Sequence, residues 1–94
     1  MKDRDQDNSE TEATAPETGS VGSQLHAARE AAGLSLTEIA TRTRVPIRHL
    51  EAIEASNYSA LPGSTYTIGF TRSYAKALGL DETALLTELR QELA

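Results

Sequence analysis

The chain has 94 residues, which allows one small domain, and its 38% of hydrophobic residues includes few aromatic side chains. It has no cysteine, which excludes disulfides and thiolate metal sites. Its apolar runs are much shorter than the ~20 residues of a membrane span, and its charged start lacks the apolar core of a signal peptide. The composition therefore favours a cytoplasmic domain that makes no membrane contact of its own.

The net charge of −5 is concentrated near the N-terminus. Residues 1–21 carry two basic and six acidic side chains, net −4, whereas residues 22–94 carry seven basic and eight acidic ones, net −1. Residues 1–20 have too few apolar side chains to offset the entropy lost on ordering, so we predict a disordered acidic leader there. The folded domain is predicted at residues 21–94. Because that part is nearly neutral, we expect little purely electrostatic attraction to nucleic acid.

Hydrophobic spacing and helix-ending residues predict five helices, and hence a compact all-α domain. The predicted helices cover residues 22–32, 36–43, 46–55, 64–78 and 82–93. The apolar residues of the first helix, from Leu25 to Ala32, share one face, and Gly33 is expected to end it. Ser64 and Asp81 are expected to cap the fourth and fifth helices.

The second and third helices are predicted to form a helix-turn-helix. Ser35 and Glu38 have the spacing of a capping box, in which the hydroxyl and the carboxylate each accept a backbone N–H at the helix start. Leu50 and Ile53 give the third helix a buried side. Two short helices joined by a tight turn are typical of this motif, in which the elements cross at a wide angle.

These helices resemble the lambda-repressor-like, or Xre-type, helix-turn-helix superfamily. The positions that carry the resemblance are Gly33, Leu34, Ser35, Ile39, Ala40, Val45, Leu50, Ile53 and Glu54. That family usually has glycine at a positive φ in the turn. This chain has Arg44 there, so we allow for a turn of different shape. The resemblance also implies a structural ion pair between Arg29 on the first helix and Glu54 at the end of the third.

The fourth helix carries an aromatic stripe. Tyr66, Phe70 and Tyr74 follow one another at i, i+4 and i+8, while Arg72 and Lys76 lie on another side of the helix. A stripe of this kind is more often core than binding site, and this is the interpretation favoured for Tyr74. For Tyr66 and Phe70 we expect partial exposure. Exposed aromatic rings beside cations would form a protein-docking patch.

The chain also resembles the N-terminal cytoplasmic domains of the RodZ family of bacterial cell-shape proteins, over about residues 21–93. The segments that carry this resemblance are REAAGLSLTEIA, HLEAIE and LPGSTYTIGFTRSYAKALGLD. It implies an adaptor that binds the actin-like filament protein MreB at the inner face of the cell membrane. By the same resemblance, Tyr66 and Phe70 would make the contact, with Arg72, Tyr74 and Lys76 as neighbours.

RodZ proteins continue beyond this domain through a basic linker, one membrane span and a periplasmic domain. The sequence given ends at Ala94. It is therefore expected to be either a domain of a membrane-anchored protein or a short soluble relative.

A sequence-specific DNA-binding regulator is the alternative. The residues that would serve it are Arg42, Arg44, Arg48 and His49. At the start of the third helix, Arg48 has the chemistry to bind a guanine edge, and Arg42 and Arg44 to hold phosphates. Pro46 and Ile47, however, offer no side-chain hydrogen bond to a base. The third helix is therefore a poor base reader, although the alternative stays open.

No catalytic centre is predicted. The only two histidines, His26 and His49, lie on different helices and are expected to be ordinary solvated side chains. The sequence has no glycine-rich phosphate loop and no histidine–carboxylate spacing suited to a metal. We therefore expect no enzyme activity, no metal and no cofactor.

Overall fold

The computed structural model describes residues 19–94, and the predicted acidic leader lies outside them except for its last two residues. The described part contains helices and no strand, and this confirms the predicted five-helix, all-α fold. The helices are α1 (Val21–Ala31), α2 (Leu36–Thr43), α3 (Ile47–Glu54), α4 (Ser64–Leu78) and α5 (Glu82–Leu93), with a short 3₁₀ turn at Tyr58–Ala60 before α4.

Helix α4 packs against all four other helices, α3 packs against α1, α2 and α4, and α5 packs against α4 and α1. The apolar side of each helix forms one core, whose fully enclosed members include Leu25, Ile39, Leu50, Ile53 and Leu89. The approach of α1 to α3 is close, since a Cβ at Gly22 would overlap the carbonyl oxygen of Ile53. Glycine is therefore required at this crossing.

Local capping signals fix most helix starts. The Ser35 hydroxyl accepts the Glu38 N–H at 3.1 Å, and the Glu38 carboxylate accepts the Ser35 N–H at 2.8 Å, which completes the capping box of α2. Asp81 accepts the Ala84 N–H at 3.2 Å at the start of α5. The expected cap at Ser64 is wrong. That residue is already helical, and the capping position belongs to Gly63, which has no side chain to offer.

The turn between α2 and α3 keeps the left-handed backbone conformation without a glycine. Arg44 has φ 64° and ψ 24°, and its N–H donates to the Ala40 carbonyl at 2.8 Å. The Thr43 hydroxyl donates to the Ile39 carbonyl at 2.7 Å and accepts the Val45 N–H at 3.2 Å. These bonds hold the turn closed, so the arginine is tolerated where the family usually has glycine.

The buried face of α1 is shorter than expected. Leu25 is enclosed, but Ala32 is exposed because the helix ends at Ala31. Gly33, at φ 72°, then turns the chain toward α2.

Candidate protein-docking site on the fourth helix

The exposed side of α4 carries an aromatic cluster, which we define as Tyr66, Phe70 and His49. Tyr66 is 55% exposed, and Phe70 is half-buried. Their ring centroids lie 5.8 Å apart with the planes tilted by 47°. The His49 ring, from the first turn of α3, stacks on Phe70 with centroids 5.3 Å apart and planes 17° from parallel. The cluster therefore begins inside the α3–α4 contact and ends in solvent.

Helical geometry explains this placement. Tyr66 and Phe70 are four residues apart on α4 and so lie one above the other on the same side. An adjoining side of α4 is buried, and its buried residues are Thr67, Thr71, Tyr74 and Ala75. Since α4 is packed on that side, the aromatic pair is left facing outward at the edge of α3.

Tyr74 does not belong to this surface. It is 0% exposed, and its hydroxyl donates a short hydrogen bond to the Glu54 carboxylate. The implied role of Tyr74 as a partner contact is therefore wrong, because its position on α4 turns the ring toward α1 and α3. The interpretation of Tyr74 as core agrees with this burial.

Glu54 is the centre of a network that joins three helices. Arg29 of α1 donates through Nε at 2.8 Å and through Nη2 at 3.2 Å, so the pair is bidentate. The Arg29 Nη1 also donates to the Leu34 carbonyl at 2.9 Å. His26 places Nδ1 2.8 Å from the same carboxylate. With Tyr74 from α4, the network fixes α1, α3 and α4 relative to one another.

The network shifts the titration of its members. Burial raises the pKa of Glu54, but hydrogen bonds from Arg29, Tyr74 and His26 outweigh it, and the net pKa lies below the ordinary value. For Tyr74, burial comes first and the carboxylate second, and both raise the pKa of the phenol. The hydrogen bond to Glu54 raises the pKa of Arg29. The carboxylate is therefore ionised and the phenol neutral in the folded domain at neutral pH.

The cations assigned to the two candidate surfaces partly come together. Lys76 of α4 and Arg42 of α2 line one shallow cleft with Thr43, Ser73 and Ala77. Within residues 19–94, neither cation has a carboxylate partner within ion-pair distance. Arg72 instead lies 3.7 Å from the Glu82 carboxylate, an exposed and hence weak pair. The surface of α4 near its C-terminal end, around Lys76, is thus positive.

The four residues of the DNA-binding alternative differ in their exposure to solvent. Arg42, Arg44 and Arg48 are exposed. His49 is half-buried, and its Nδ1 atom is enclosed with no hydrogen-bond partner in the described part of the chain. His49 is therefore engaged with Phe70, whereas Arg48, the residue expected to bind a guanine edge, faces solvent.

The expectation of two ordinary solvated histidines is wrong for His49, which is half-buried and stacks on Phe70. His26 is exposed as expected, but it also contacts Glu54 and lies 3.3 Å from Glu30. Sequence reasoning missed both roles because they depend on how α1, α3 and α4 pack. Among the described residues, no group of three or more histidine and carboxylate side chains is placed to hold a metal ion.

The central α2–α3 pair, held by its capping box and packed beneath α4, defines the domain as a helix-turn-helix protein. Residues 24–85, more than half of the chain, match the family described as "Helix-turn-helix domain". The chain belongs to this family.

Relatives of the chain are bacterial proteins with membrane or cytoskeletal descriptions. It is 39% identical over 66 residues to the cytoskeleton protein RodZ of Streptococcus pneumoniae, covering 70% of this chain and 24% of RodZ. It is 35% identical over 60 residues to the uncharacterised membrane protein YmfM of Bacillus subtilis, covering 64% of this chain and 21% of YmfM. The predicted resemblance to RodZ is thereby confirmed. The chain spans less than a quarter of the length of these relatives.

A solved structure has the same fold. YmfM from Staphylococcus aureus, described as a candidate DNA-binding membrane protein, superposes with a TM-score of 0.74 at 33% sequence identity, covering 78% of this chain and 89% of the other. In residues 19–94 of the present chain, none of the helices has both the length and the apolar character to cross a bilayer.

Proposed function

We propose that this domain is a non-enzymatic, RodZ-like adaptor that docks on an actin-like MreB filament through α4. Tyr66 and Phe70 make the main contact, with Lys76 and Arg72 of the same helix as further contacts. The domain works in the cytoplasm, and its parent protein is anchored in the membrane. The S. pneumoniae relative, described as a cytoskeleton protein, supports this assignment over the matched region.

The exposure of Tyr66 is the observation that carries the proposal. A tyrosine ring is a large apolar surface, yet 55% of Tyr66 faces solvent, whereas the core residues are buried. Its neighbour Phe70 is held between the Tyr66 and His49 rings. Aromatic side chains that are fixed in place and partly exposed are typical of interface hot spots, because little conformational entropy is lost when they bind.

Co-sedimentation with polymerised MreB tests the proposal. The double substitution Tyr66→Ala with Phe70→Ala removes the aromatic contact, and we expect binding to weaken by about thirtyfold or more, as for the loss of a ~2 kcal/mol hot spot. The matched control is Ile47→Ala. Ile47, at 38% exposure, is the other large exposed apolar side chain of the described residues, and it lies on α3.

The result distinguishes α4 from α3 as the docking helix. The proposal requires that the aromatic variant, still folded by circular dichroism, leaves the pellet while Ile47→Ala stays with the filaments. If the aromatic variant sediments like the wild type, α4 is not the docking helix.

DNA binding is the second candidate, favoured by one observation: Arg42, Arg44 and Arg48 are exposed cations with no ion-pair partner among residues 19–94. The S. aureus YmfM structure, described as a candidate DNA-binding protein, points the same way. Against it, His49 is occupied by Phe70, and Ile47 presents only apolar surface.

The DNA candidate predicts duplex binding that falls steeply as salt rises, since each phosphate contact releases counterions. Arg48→Ala should abolish base-specific binding, while Arg90→Ala, at an exposed site on α5, should leave it intact. Fluorescence anisotropy with a labelled duplex at low salt measures both. No binding of the wild-type domain at low salt would remove this candidate.

A further inference from the structure

Gly69 lies inside α4, where the fold itself gives no reason for glycine. It sits between Tyr66 and Phe70 in a 15-residue helix, far from both ends. Glycine in a helix interior is less favourable for stability than alanine, because it has more backbone freedom to lose. A glycine at such a position lowers stability, so we look for a function that compensates for this loss.

The usual structural reasons for glycine are missing at this residue. Gly69 has no positive φ, unlike Gly33 and Gly79. Apart from its two chain neighbours and the backbone of its own helix, a Cβ built on Gly69 meets no atom of the described residues within 4 Å. By contrast, a Cβ at Gly22 would overlap the Ile53 carbonyl. The intramolecular packing therefore requires glycine at Gly22 and accepts alanine at Gly69.

The position of Gly69 on the helix relates it to the aromatic cluster. Tyr66, Gly69 and Ser73 follow at i, i+3 and i+7, which places them in one row along α4, and Phe70 lies on the side of Tyr66 away from Gly69. Gly69 is half-buried, one helical turn from the exposed Tyr66. Because Gly69 has no side chain, the row leaves the α4 backbone uncovered there, and we call this position the notch.

We propose that Gly69 is a specificity-determining residue of the docking surface: its notch receives an apolar side chain of the filament protein, which packs onto the α4 backbone beside the Tyr66 ring. This inference rests on the proposed function of α4. An apolar occupant fits because the exposed Tyr66 ring lies one helical turn along the same row. Close packing at an interface core does not tolerate an added methyl group without loss.

The test uses graded substitutions and two readouts of opposite sign. Gly69→Ala should raise the melting temperature of the isolated domain, since alanine favours the helix and meets nothing. The same variant should bind polymerised MreB at least about fivefold more weakly, because the methyl group occupies the notch. Gly69→Leu should bind more weakly still while remaining folded. A residue with a merely structural role would not separate stability from binding in this way.

The matched control is Ala27→Leu, which adds bulk at an exposed position inside α1 and should leave filament binding unchanged. If Gly69→Ala and Gly69→Leu bind like the wild type while the Tyr66→Ala, Phe70→Ala variant does not, the notch is wrong and the docking helix stands. If all of these variants bind like the wild type, the proposed function falls with it. If Gly69→Ala lowers the melting temperature, glycine has a structural role and the inference is overturned.

Discussion

Removal of the Glu54 carboxylate should be one of the most destabilising single changes in this domain. The side chains of Arg29 and Glu54 are only 12% and 11% exposed, and they meet at 2.8 Å. Glu54→Ala would leave the guanidinium and the Tyr74 hydroxyl without their acceptor. Breaking a buried ion pair by removing one partner costs about 3–5 kcal/mol. Because a domain of this size has a total free energy of unfolding of about 5–10 kcal/mol, the variant should lose roughly a third or more of its stability.

Urea denaturation at neutral pH measures this effect, and a double-mutant cycle with Arg29→Ala isolates the pairwise part. We expect a coupling energy above about 2 kcal/mol for this buried pair. The control cycle uses Arg72 and Glu82, which are 50% and 34% exposed at 3.7 Å. Exposed pairs of this kind contribute less than about 1 kcal/mol. Equal coupling energies in the two cycles would refute the claim that the network locks α1 to α3.

Three further predictions concern stability. Hydrogen bonds keep the folded-state pKa of Glu54 below its ordinary value. The contribution of Glu54 to stability is therefore complete above about pH 4.5 and is lost as the pH falls through the folded-state pKa. Melting curves should show that acid lowers the melting temperature of the wild type more than that of Glu54→Gln. Arg44→Gly should raise the free energy of unfolding by about 0.5–1 kcal/mol in urea titrations, since the left-handed conformation costs arginine more than glycine; a loss would mean that the side chain stabilises the turn. Gly22→Ala should lower it by about 1–3 kcal/mol through overlap with the α3 backbone, whereas Gly69→Ala should not lower it.

Local signals in the sequence were sufficient for the helices. The capping box of Ser35 and Glu38 and the cap at Asp81 act within one helical turn, so they can be recognised without knowing the fold. Ser64 shows the limit of this reasoning. Ser64 and Gly63 both suit a helix start, and in the structure Gly63 is the capping residue.

The candidate site was predictable only in part. The spacing of Tyr66 and Phe70 indicated a shared face, and family resemblance indicated its use. The stripe also favoured Tyr74 as core, in agreement with its burial. The stacking of His49 on Phe70 depends on how α3 and α4 pack, and no local pattern encodes that contact. The notch at Gly69 likewise cannot be recognised from the sequence, because coordinates are needed to see that a Cβ at this residue would have open space around it.

A ¹⁵N NMR titration of the domain tests the central claim most directly. Unpolymerised MreB and a DNA duplex are added in separate experiments, and the backbone signals report which helix each contacts. The account predicts that MreB shifts or broadens the signals of Tyr66, Gly69 and Phe70 on α4 while those of Arg90 on α5 stay in place. Perturbations confined to Arg48 and the α2–α3 turn, seen with DNA and not with MreB, would contradict it.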